Sequence, residues 1–486
     1  MTKTKARAFL PMLGLGWLVL LAGWHAPVLA QSKAVKTGKA KAPAAGRRAQ
    51  PAKAAKAGKA VKPTKSAVKR KRTHKPWFKG YRRVRYRRYD LHLATIYDGN
   101  FLFTYFGHNA FRVRDRRFGG DINYNFGTFG FEPNFKAIMT ALHEYLQFKL
   151  KYWVSTTSFR RTVKWYRYFD RTYNIRRLNL TNKEANKIAK FLRWHIKEEN
   201  KYYPYHHYTN NCSTKVRDIL LLALGSDFKK RALVKRGRTY RSMVMDKVRP
   251  NPLLAILMDF GMGPPADREL TWWQEMFLPE RLEEYVTQPW WEKERGRPLV
   301  GQARFLVKRK QQRALWQTIY PVTWVILFTV LWMLAGLALF RSRFFRFWLR
   351  SLLVMLGLLG LALFGMLVFT KFPEPPGNVN ILFYHPLHFW VWWWMARKRW
   401  SLSPLRRMRI RWYFAAHVIG AVVYLLLKAI NVVPYQINAH YMVFIILTMG
   451  LICFQLWRNP DWGVEAKKEE EKEAEAIEST ATKAAA

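Results

Sequence analysis

Five long apolar runs near the C-terminus constrain the fold of this chain most strongly. They span residues 316–340, 352–369, 381–396, 412–427 and 441–457. Backbone polar groups inside a bilayer must be satisfied within the segment, so such runs predict membrane-spanning helices. A bilayer core about 30 Å thick needs roughly 20 helical residues, which makes the third and fourth runs short. We therefore predict a helical membrane domain of five spans over residues 316–457.

The charges between these runs predict their orientation. Arg341, Arg343, Arg346 and Arg350 follow the first run, and a second arginine-rich stretch, residues 397–411, follows the third. Cytoplasmic loops carry an excess of Lys and Arg, so both stretches are expected in the cytoplasm. Residues 31–315 are then outside the cytoplasm, and the acidic tail over residues 458–486 is inside it.

The N-terminus has the pattern of a secretory signal. A basic start is followed by an apolar stretch over residues 9–24, and Val28 and Ala30 supply small residues before Gln31. This pattern predicts a signal peptide over residues 1–30, with an uncleaved anchor as the alternative. Both readings export the domain that follows, which agrees with the orientation of the spans.

Residues 31–89 form a basic arm that is rich in Lys and Ala and contains no acidic residue before Asp90. Much of the formal net charge of +53 lies in this arm. It has too few large apolar residues to offset chain entropy, so we predict disorder. An electrostatic contact with anionic lipid or cell-wall polymer and a plain solvated linker remain alternatives. Export argues against nucleic acid as a partner.

Residues 90–315 predict a mixed exported domain. Thr181 and Glu184 have the spacing of a capping box at the start of an amphipathic helix. Apolar and alternating segments predict strands over residues 91–97, 101–106, 109–115, 121–131 and 152–159, the first two joined as a hairpin. Helices are predicted over residues 133–148, 180–200 and 212–224.

Cys212 is one of only two cysteines in the chain. The predicted topology places Cys453 on the other side of the membrane, so the two should not pair. Asn210 and Asn211 are good N-cap residues, which puts Cys212 at the start of a helix. There the helix dipole is expected to lower the thiol pKa, and free N–H groups suit an oxyanion hole. The alternative is a cysteine that only fills the core.

A thiol nucleophile needs a base, and three histidines are candidates. His206 and His207 lie just before the predicted helix, but no second cysteine or carboxylate set completes a zinc site with Cys212. His108 follows a glycine at the start of a predicted strand, where its ring can face a neighbouring strand. By itself, a lone histidine is more often structural.

Four segments, taken together and in order, resemble a known family. They are FGHNAFRVRD, INYNFGTFGFE, YYPYHHYTNNCSTKVRD and MFLPERL. This set is similar to the exported domain of the Lnb-type lipoprotein N-acyltransferases. That domain resembles the permuted NlpC-type thiol hydrolases and the lecithin:retinol acyltransferase group, in which a histidine precedes the cysteine in the chain and the cysteine begins a helix packed on a small antiparallel sheet. The resemblance covers about residues 90–301, and the C-terminal spans also fit. It implies an α+β domain with a small antiparallel sheet and packed helices, permuted papain-like.

The resemblance also implies roles for individual residues. Cys212 matches the nucleophile and His108 the base, with Asn125 as the third member and Asn123 or Asp121 as rivals. Arg217 matches a basic position that either binds a phosphate or pairs with an acid, Asp218 or Asp115, and the structural role is favoured. Polar residues at the outer ends of the spans are candidate substrate contacts, with interfacial placement as the alternative: Asn378, Asn380, His385, Gln436 and His440.

The implied reaction moves a fatty acyl chain from a phospholipid through a Cys212 thioester to the N-terminal amine of a diacylated lipoprotein. No cofactor and no metal are predicted, and the expected location is the bacterial inner membrane with the catalytic domain in the periplasm. An NlpC-like hydrolase of envelope peptides or lipid esters is the first alternative. A non-catalytic, membrane-anchored scaffold that binds the envelope is the second.

Overall fold

The computed structural model describes residues 88–100, 104–130, 134–311, 314–339, 344–396, 404–433 and 435–458. The predicted signal peptide, nearly all of the predicted basic arm and nearly all of the acidic tail lie outside these ranges. Those three predictions therefore stay predictions.

A seven-stranded antiparallel sheet organises the exported domain. Its order is β6-β4-β3-β2-β1-β5-β9, so β2 lies at the centre, between β3 and β1. A small second sheet pairs β7 with β8. The strands are β1 (Tyr89–Ile96), β2 (His108–Asp115), β3 (Asp121–Thr128), β4 (Lys151–Ser158), β5 (Tyr173–Leu178), β6 (Tyr202–Pro204), β7 (Lys235–Thr239), β8 (Glu269–Thr271) and β9 (Val300–Val307).

Helices cover both faces of this sheet and continue into the membrane domain. In the exported part they are α1 (Phe135–Leu146), α2 (Phe159–Tyr168), α3 (Asn182–His195), α4 (Cys212–Leu224), α5 (Asp227–Lys230), α6 (Tyr240–Val248), α7 (Pro252–Gly261), α8 (Trp272–Glu275), α9 (Pro279–Val286) and α10 (Trp290–Arg295). Those of the apolar region are α11 (Pro321–Leu339), α12 (Phe344–Phe369), α13 (His388–Ala396), α14 (Pro404–Ala429) and α15 (Ala439–Arg458).

The local sequence signals explain several of these elements. The predicted capping box of α3 is confirmed, because Thr181 accepts from the Glu184 amide and the Glu184 carboxylate accepts from the Thr181 amide. The predicted strand over residues 101–106 is wrong for residues 104–106, which form turns, while residues 101–103 lie outside the described ranges. The first hairpin therefore does not form, since β1 pairs with β2 instead.

Strand β2 shows how the two faces of the sheet differ. Phe111 and Val113 point into the main core, which α3 and α4 cover. Ala110 points to the opposite face, into a smaller core that includes Tyr166 of α2. Since side chains alternate along a strand, His108 shares the face of Ala110, and Asn109 shares the face of α4. The two neighbouring residues His108 and Asn109 thus lie on opposite faces of the sheet.

Four helices in the described part of the chain are long and apolar enough to cross a bilayer: α11, α12, α15 and residues 407–429 of α14. The third of the five predicted spans is not confirmed as a continuous helix. Residues 381–396 form the end of a 3-10 turn (Val379–Leu382), an irregular stretch and the nine-residue α13. Pro386 lies in this break, where its missing N–H cannot continue a helix.

The fourth span is longer than predicted, because α14 begins at Pro404 and takes in the arginines before residue 412. Arginine stems extend along apolar surface, so a window based on hydropathy understates the helix.

The broken segment packs closely against the middle of α12. A Cβ at Gly360 would lie 2.5 Å from the His385 backbone, and a Cβ at Gly357 would lie 2.9 Å from the Phe389 ring. Farther along, Trp392 lines the same groove as Arg350 near the start of α12. Residues 385–392 therefore run antiparallel to α12, from its middle toward its arginine-rich end.

A buried polar network joins the exported domain to the bundle. The carbonyl of Phe260, at the end of α7, accepts hydrogen bonds from Asn378 Nδ2 (2.9 Å) and Asn380 Nδ2 (3.0 Å). Gln436 Nε2 donates to the Met262 carbonyl at 3.2 Å, and His440 contacts Asp259 at 3.0 Å. The exported domain thus docks on the end of the bundle opposite the arginine-rich starts of α12 and α14.

Candidate active site

Cys212 is the first residue of α4, as predicted, and Asn211 is its N-cap. The Asn211 Oδ1 accepts from the Ser213 and Thr214 amides, both at 2.9 Å. Its Nδ2 donates to the carbonyls of His207 and Phe277, which fixes the loop before the helix. The helix therefore begins at one defined residue, and the thiol stands at that end.

Ser213 connects this helix start to β2. Its hydroxyl is buried and lies 2.9 Å from Asn109 Oδ1 and 2.7 Å from the Met276 carbonyl. Asn109 Nδ2 in turn donates to the Ala94 carbonyl and to the Thr95 hydroxyl. These contacts hold the N-terminus of α4 against the residue that follows His108.

His108 begins β2 directly after a tight turn. Gly107 has φ +71°, and a Cβ there would lie 2.8 Å from the Ile96 carbonyl, so the turn requires glycine. The His108 ring is hydrogen-bonded to the side chain of Asn125 on β3. Asn125 Nδ2 donates to the Thr157 hydroxyl at 3.1 Å, which leaves its Oδ1 to accept from the ring.

The two rivals of Asn125 have other partners. Asp121 holds Arg112 in a two-point ion pair at 2.8 and 2.7 Å. Asn123 is fully buried, and its Oδ1 lies 3.5 Å from the Tyr173 hydroxyl. Among the three candidates, Asn125 is therefore the one that the structure brings to His108.

Backbone amides and aromatic rings surround the thiol. The backbone amides of Asn109, Ser213 and Cys212 lie around the Cys212 sulfur and act to lower the pKa of its thiol. Gly127, with φ +79°, lies on another side, where a Cβ would be 3.9 Å from the Cys212 Cβ and 3.3 Å from the Tyr205 ring. A side chain at residue 127 would therefore press on the Tyr205 ring, and the positive φ also favours glycine.

The electrostatics of the pair differ from the expectation for Cys212. Burial raises the pKa of the Cys212 thiol above its usual range, and the three amides oppose this shift without reversing it. The predicted lowering of the thiol pKa is therefore wrong, because desolvation outweighs the helix terminus. Burial lowers the pKa of His108 to about 4, so the imidazole is neutral at pH 7.

Arg171 is a part of this site that the sequence did not indicate. Its positive charge lowers the pKa of both Cys212 and His108. Burial has the larger effect on each group, raising the pKa of Cys212 and lowering that of His108. The guanidinium is buried, donates to the Tyr97 carbonyl at 2.9 Å and lies near the Tyr166 ring. The chain has 84 Lys and Arg residues, and no local motif distinguishes Arg171 from the rest.

The remaining basic candidates have structural partners. His206 Nδ1 accepts from the amides of Tyr208 and Thr209, and His207 Nε2 lies 2.9 Å from a Glu374 carboxylate oxygen. Arg217 pairs with Asp218 at 2.9 Å and donates to the Trp273 carbonyl.

The span-end residues lie at the domain junction. Asn378, Asn380 and Gln436 are buried and take part in the network around the Phe260 and Met262 carbonyls. His440 contacts Asp259, whereas His385 lies deeper, against the middle of α12. These contacts give the junction residues a structural role, and substrate contact by Asn378, Asn380 and His385 stays a prediction.

The structure combines an antiparallel α+β domain, which has a thiol at a helix start, with an apolar helical bundle on which this domain docks. These features define a membrane protein with a thiol site in the domain outside the bundle. Residues 81–245 match the model of the Lnb N-terminal periplasmic domain, and residues 310–458 match that of the Lnb transmembrane domain. The chain belongs to the Lnb-type proteins, which makes it a membrane enzyme that modifies lipoproteins and has a periplasmic domain. Comparisons with curated proteins and with solved structures gave no match.

Replacement of Arg171 should change the titration of Cys212. In a Cys453→Ser background, Arg171→Met removes the positive charge that lowers the thiol pKa, so alkylation by iodoacetamide should need a higher pH. Arg171→Lys keeps the charge and should shift the profile less. The rate is followed by mass spectrometry of the intact protein over a pH series. Arg160→Met, an exposed change on α2, is the control, and identical profiles for Arg171→Met and this control would contradict the assignment.

Proposed function

We propose that this protein transfers a fatty acyl chain from a phospholipid to the N-terminal amine of a diacylated lipoprotein, through a thioester on Cys212. The observation that carries this proposal is the thiol at the start of α4, where Ser213 ties the helix to Asn109, the residue next to His108, and where His108 in turn contacts Asn125. The domain's attachment to a membrane bundle supports a lipid donor, since a hydrolase that uses water would need no such bundle.

The thiol and the imidazole begin the reaction as a neutral pair. Because the pKa of Cys212 is raised and that of His108 is lowered to about 4, no stable thiolate–imidazolium pair is expected before substrate binds. His108 then acts as a general base, taking the thiol proton as sulfur attacks the ester carbonyl. Collapse of the tetrahedral intermediate breaks the ester C–O bond, and His108 returns the proton to the departing lysophospholipid hydroxyl.

The oxyanion needs donors that the fold does not already use. The Ser213 and Thr214 amides donate to Asn211, which leaves the amides of Cys212 and Asn109 as the best candidates. This revises the expectation that the helix start alone forms the hole. One donor then comes from α4 and the other from β2, and the Ser213–Asn109 contact sets their spacing.

The second half-reaction follows the same path in reverse. The free α-amine of the lipoprotein's N-terminal cysteine attacks the thioester, and an amide bond forms as the C–S bond breaks. His108 accepts the amine proton and returns it to the departing sulfur, which regenerates the thiol. Both substrates lie in the outer leaflet of the inner membrane in this proposal, so a periplasmic domain docked on the bundle reaches both.

We further propose that the broken segment completes a fifth crossing. Residues 385–392 run beside α12 toward its arginine-rich N-terminal end, although α13 is too short to span the bilayer alone. Arg411, near the start of α14, lies over the ring of Trp457 near the end of α15, so these two termini also meet. Five crossings place all these termini in the cytoplasm, in agreement with their charges.

Cys212→Ala and Cys212→Ser should abolish N-acylation. Each variant, wild type and the control Cys453→Ser are produced in a bacterial strain without its own N-acyltransferase, and lipoprotein N-termini are read by mass spectrometry. Loss of a nucleophile lowers turnover by roughly 10³-fold or more, whereas Cys453→Ser should be active. Wild type given a labelled phospholipid should carry a hydroxylamine-sensitive acyl group on Cys212. Persistence of the amide in both Cys212 variants would exclude this function, and free fatty acid without any amide would favour the hydrolase.

Asn125→Ala should move the acid limb of the kcat/KM profile to lower pH. The Asn125 hydrogen bond raises the pKa of His108, so its loss lets that pKa fall further. We expect roughly a 10-fold to 100-fold lower kcat with a small change in KM, as for loss of a group that orients a catalytic base. Asn186→Ala, an exposed change on α3, is the control. An unchanged acid limb would show that Asn125 does not act through His108.

A cysteine at residue 401 tests the fifth crossing. In a Cys212→Ser, Cys453→Ser background, Ser401→Cys should react with a membrane-impermeant maleimide only after the cells are lysed. Gln311→Cys, on the exported side, should react in intact spheroplasts. If both positions label in intact spheroplasts, the broken segment returns to the periplasm and four crossings are correct.

A further inference from the structure

Three histidines meet inside the membrane domain, and neither the proposed reaction nor the family assignment uses them. His385 and His388 lie at the break in the third predicted span, and His417 lies on α14. One ligand atom from each lies within 4.8 Å of the others. The Nε2 atoms of His385 and His417 are 3.1 Å apart.

Backbone carbonyls fix the tautomers of two of these rings. His417 Nδ1 donates to the Tyr413 carbonyl at 2.8 Å, so its Nε2 carries a lone pair. His388 Nε2 donates to the Phe383 carbonyl at 2.9 Å, so its Nδ1 carries a lone pair. An imidazole that ligates a metal usually donates its other N–H to a carbonyl or carboxylate, which is the arrangement seen here.

The Tyr413 hydroxyl completes the group. It lies 2.5 Å from His388 Nδ1. Because this nitrogen carries a lone pair, the Tyr413 hydroxyl is the donor of the hydrogen bond. A zinc ion has four ligands, commonly with three from histidines and one from another group. If the Tyr413 hydroxyl turned away from His388, the Nδ1 atom of His388 would be free to bind a metal. The Tyr413 oxygen would then lie beside that metal.

The cluster lies deep in the apolar layer. Along the axis of α14, His417 is about 15 Å from Arg407 and about 18 Å from Ala429, at roughly 1.5 Å per residue. His388 is fully buried, and the His385 backbone contacts the middle of α12. Polar side chains at this depth are costly and mark functional sites by default.

We infer that His385, His388 and His417 form a binding site for a divalent transition-metal ion, with Tyr413 as the fourth group. Three neutral imidazoles and no thiolate or carboxylate in the cluster suit zinc, copper or nickel rather than magnesium or calcium. The site joins the irregular segment before α13 to α14. A bound ion would therefore hold the break in place, independently of whether Cys212 is the nucleophile.

Metal content of the purified protein tests this inference. Full-length protein without a histidine tag is purified in detergent, incubated with Zn²⁺, freed of unbound metal and measured by inductively coupled plasma mass spectrometry. We expect about one metal per chain by the coordination argument, and near-background content for His388→Gln and His417→Gln. His143→Gln removes an exposed histidine of α1 and should retain the full amount.

A second measurement uses wild-type protein alone and does not depend on how the variants fold. Titration with Co²⁺ should saturate at one equivalent with visible absorption from a four-coordinate site, and Zn²⁺ should displace it. Tyr413→Phe should change the shape of this spectrum while binding persists. Wild type that retains no metal and shows no saturable Co²⁺ spectrum would overturn the site, as would a folded His388→Gln variant with wild-type metal content.

Discussion

The buried contact between Ser213 and Asn109 is the interaction on which the proposed site depends. It joins the first turn of α4 to the strand that begins with His108, across two elements separated by about a hundred residues of chain. Both groups lie in the interior, where an unpaired polar atom costs about 1–3 kcal/mol, so the contact is strongly specified. The single Ser213 hydroxyl proton is shared between Asn109 Oδ1 and the Met276 carbonyl, and Asn109 Nδ2 donates to the Ala94 carbonyl and the Thr95 hydroxyl. This network therefore fixes the start of α4, which carries the thiol, against the strand that begins with His108.

The same close packing decides the protonation state of the site. Helix termini favour a thiolate, but this helix start is enclosed by β2, β3 and aromatic side chains, and enclosure penalises the charged form of the thiol. Arg171 compensates in part, as a buried positive charge that stabilises the thiolate and disfavours an imidazolium on His108. In the proposed reaction the pair is therefore neutral at rest, and the proton moves as the substrate is attacked. Such a resting thiol is also less prone to oxidation in the periplasm, because thiolate is the reactive form.

Local signals predicted those elements that local interactions determine. The Thr181 capping box, the start of α4 at Cys212 and its end before Gly225 follow from short-range hydrogen bonds and glycine conformation. The prediction that Asn125 contacts His108 depended on the motif order of a known family, because neither segment alone shows which strands pair. Arg171 could not be found from sequence, since its importance comes only from the distant residues around it. Hydropathy likewise shows an apolar run over residues 381–396, but it does not show where a helix within that run is interrupted.

The break in the third predicted span links the interior of the membrane domain to the other domain. Irregular backbone at membrane depth is tolerated only where protein covers it, and here the glycines at 357 and 360 let α12 approach closely enough to do so. At its outer end, the same segment supplies Asn378 and Asn380, which hold the carbonyl that ends α7. Just before them, Glu374 contacts His207, five residues before Cys212. One stretch of chain thus connects the interior of the bundle to the loop before the thiol, so a change at the histidine cluster has a continuous packed route to the site.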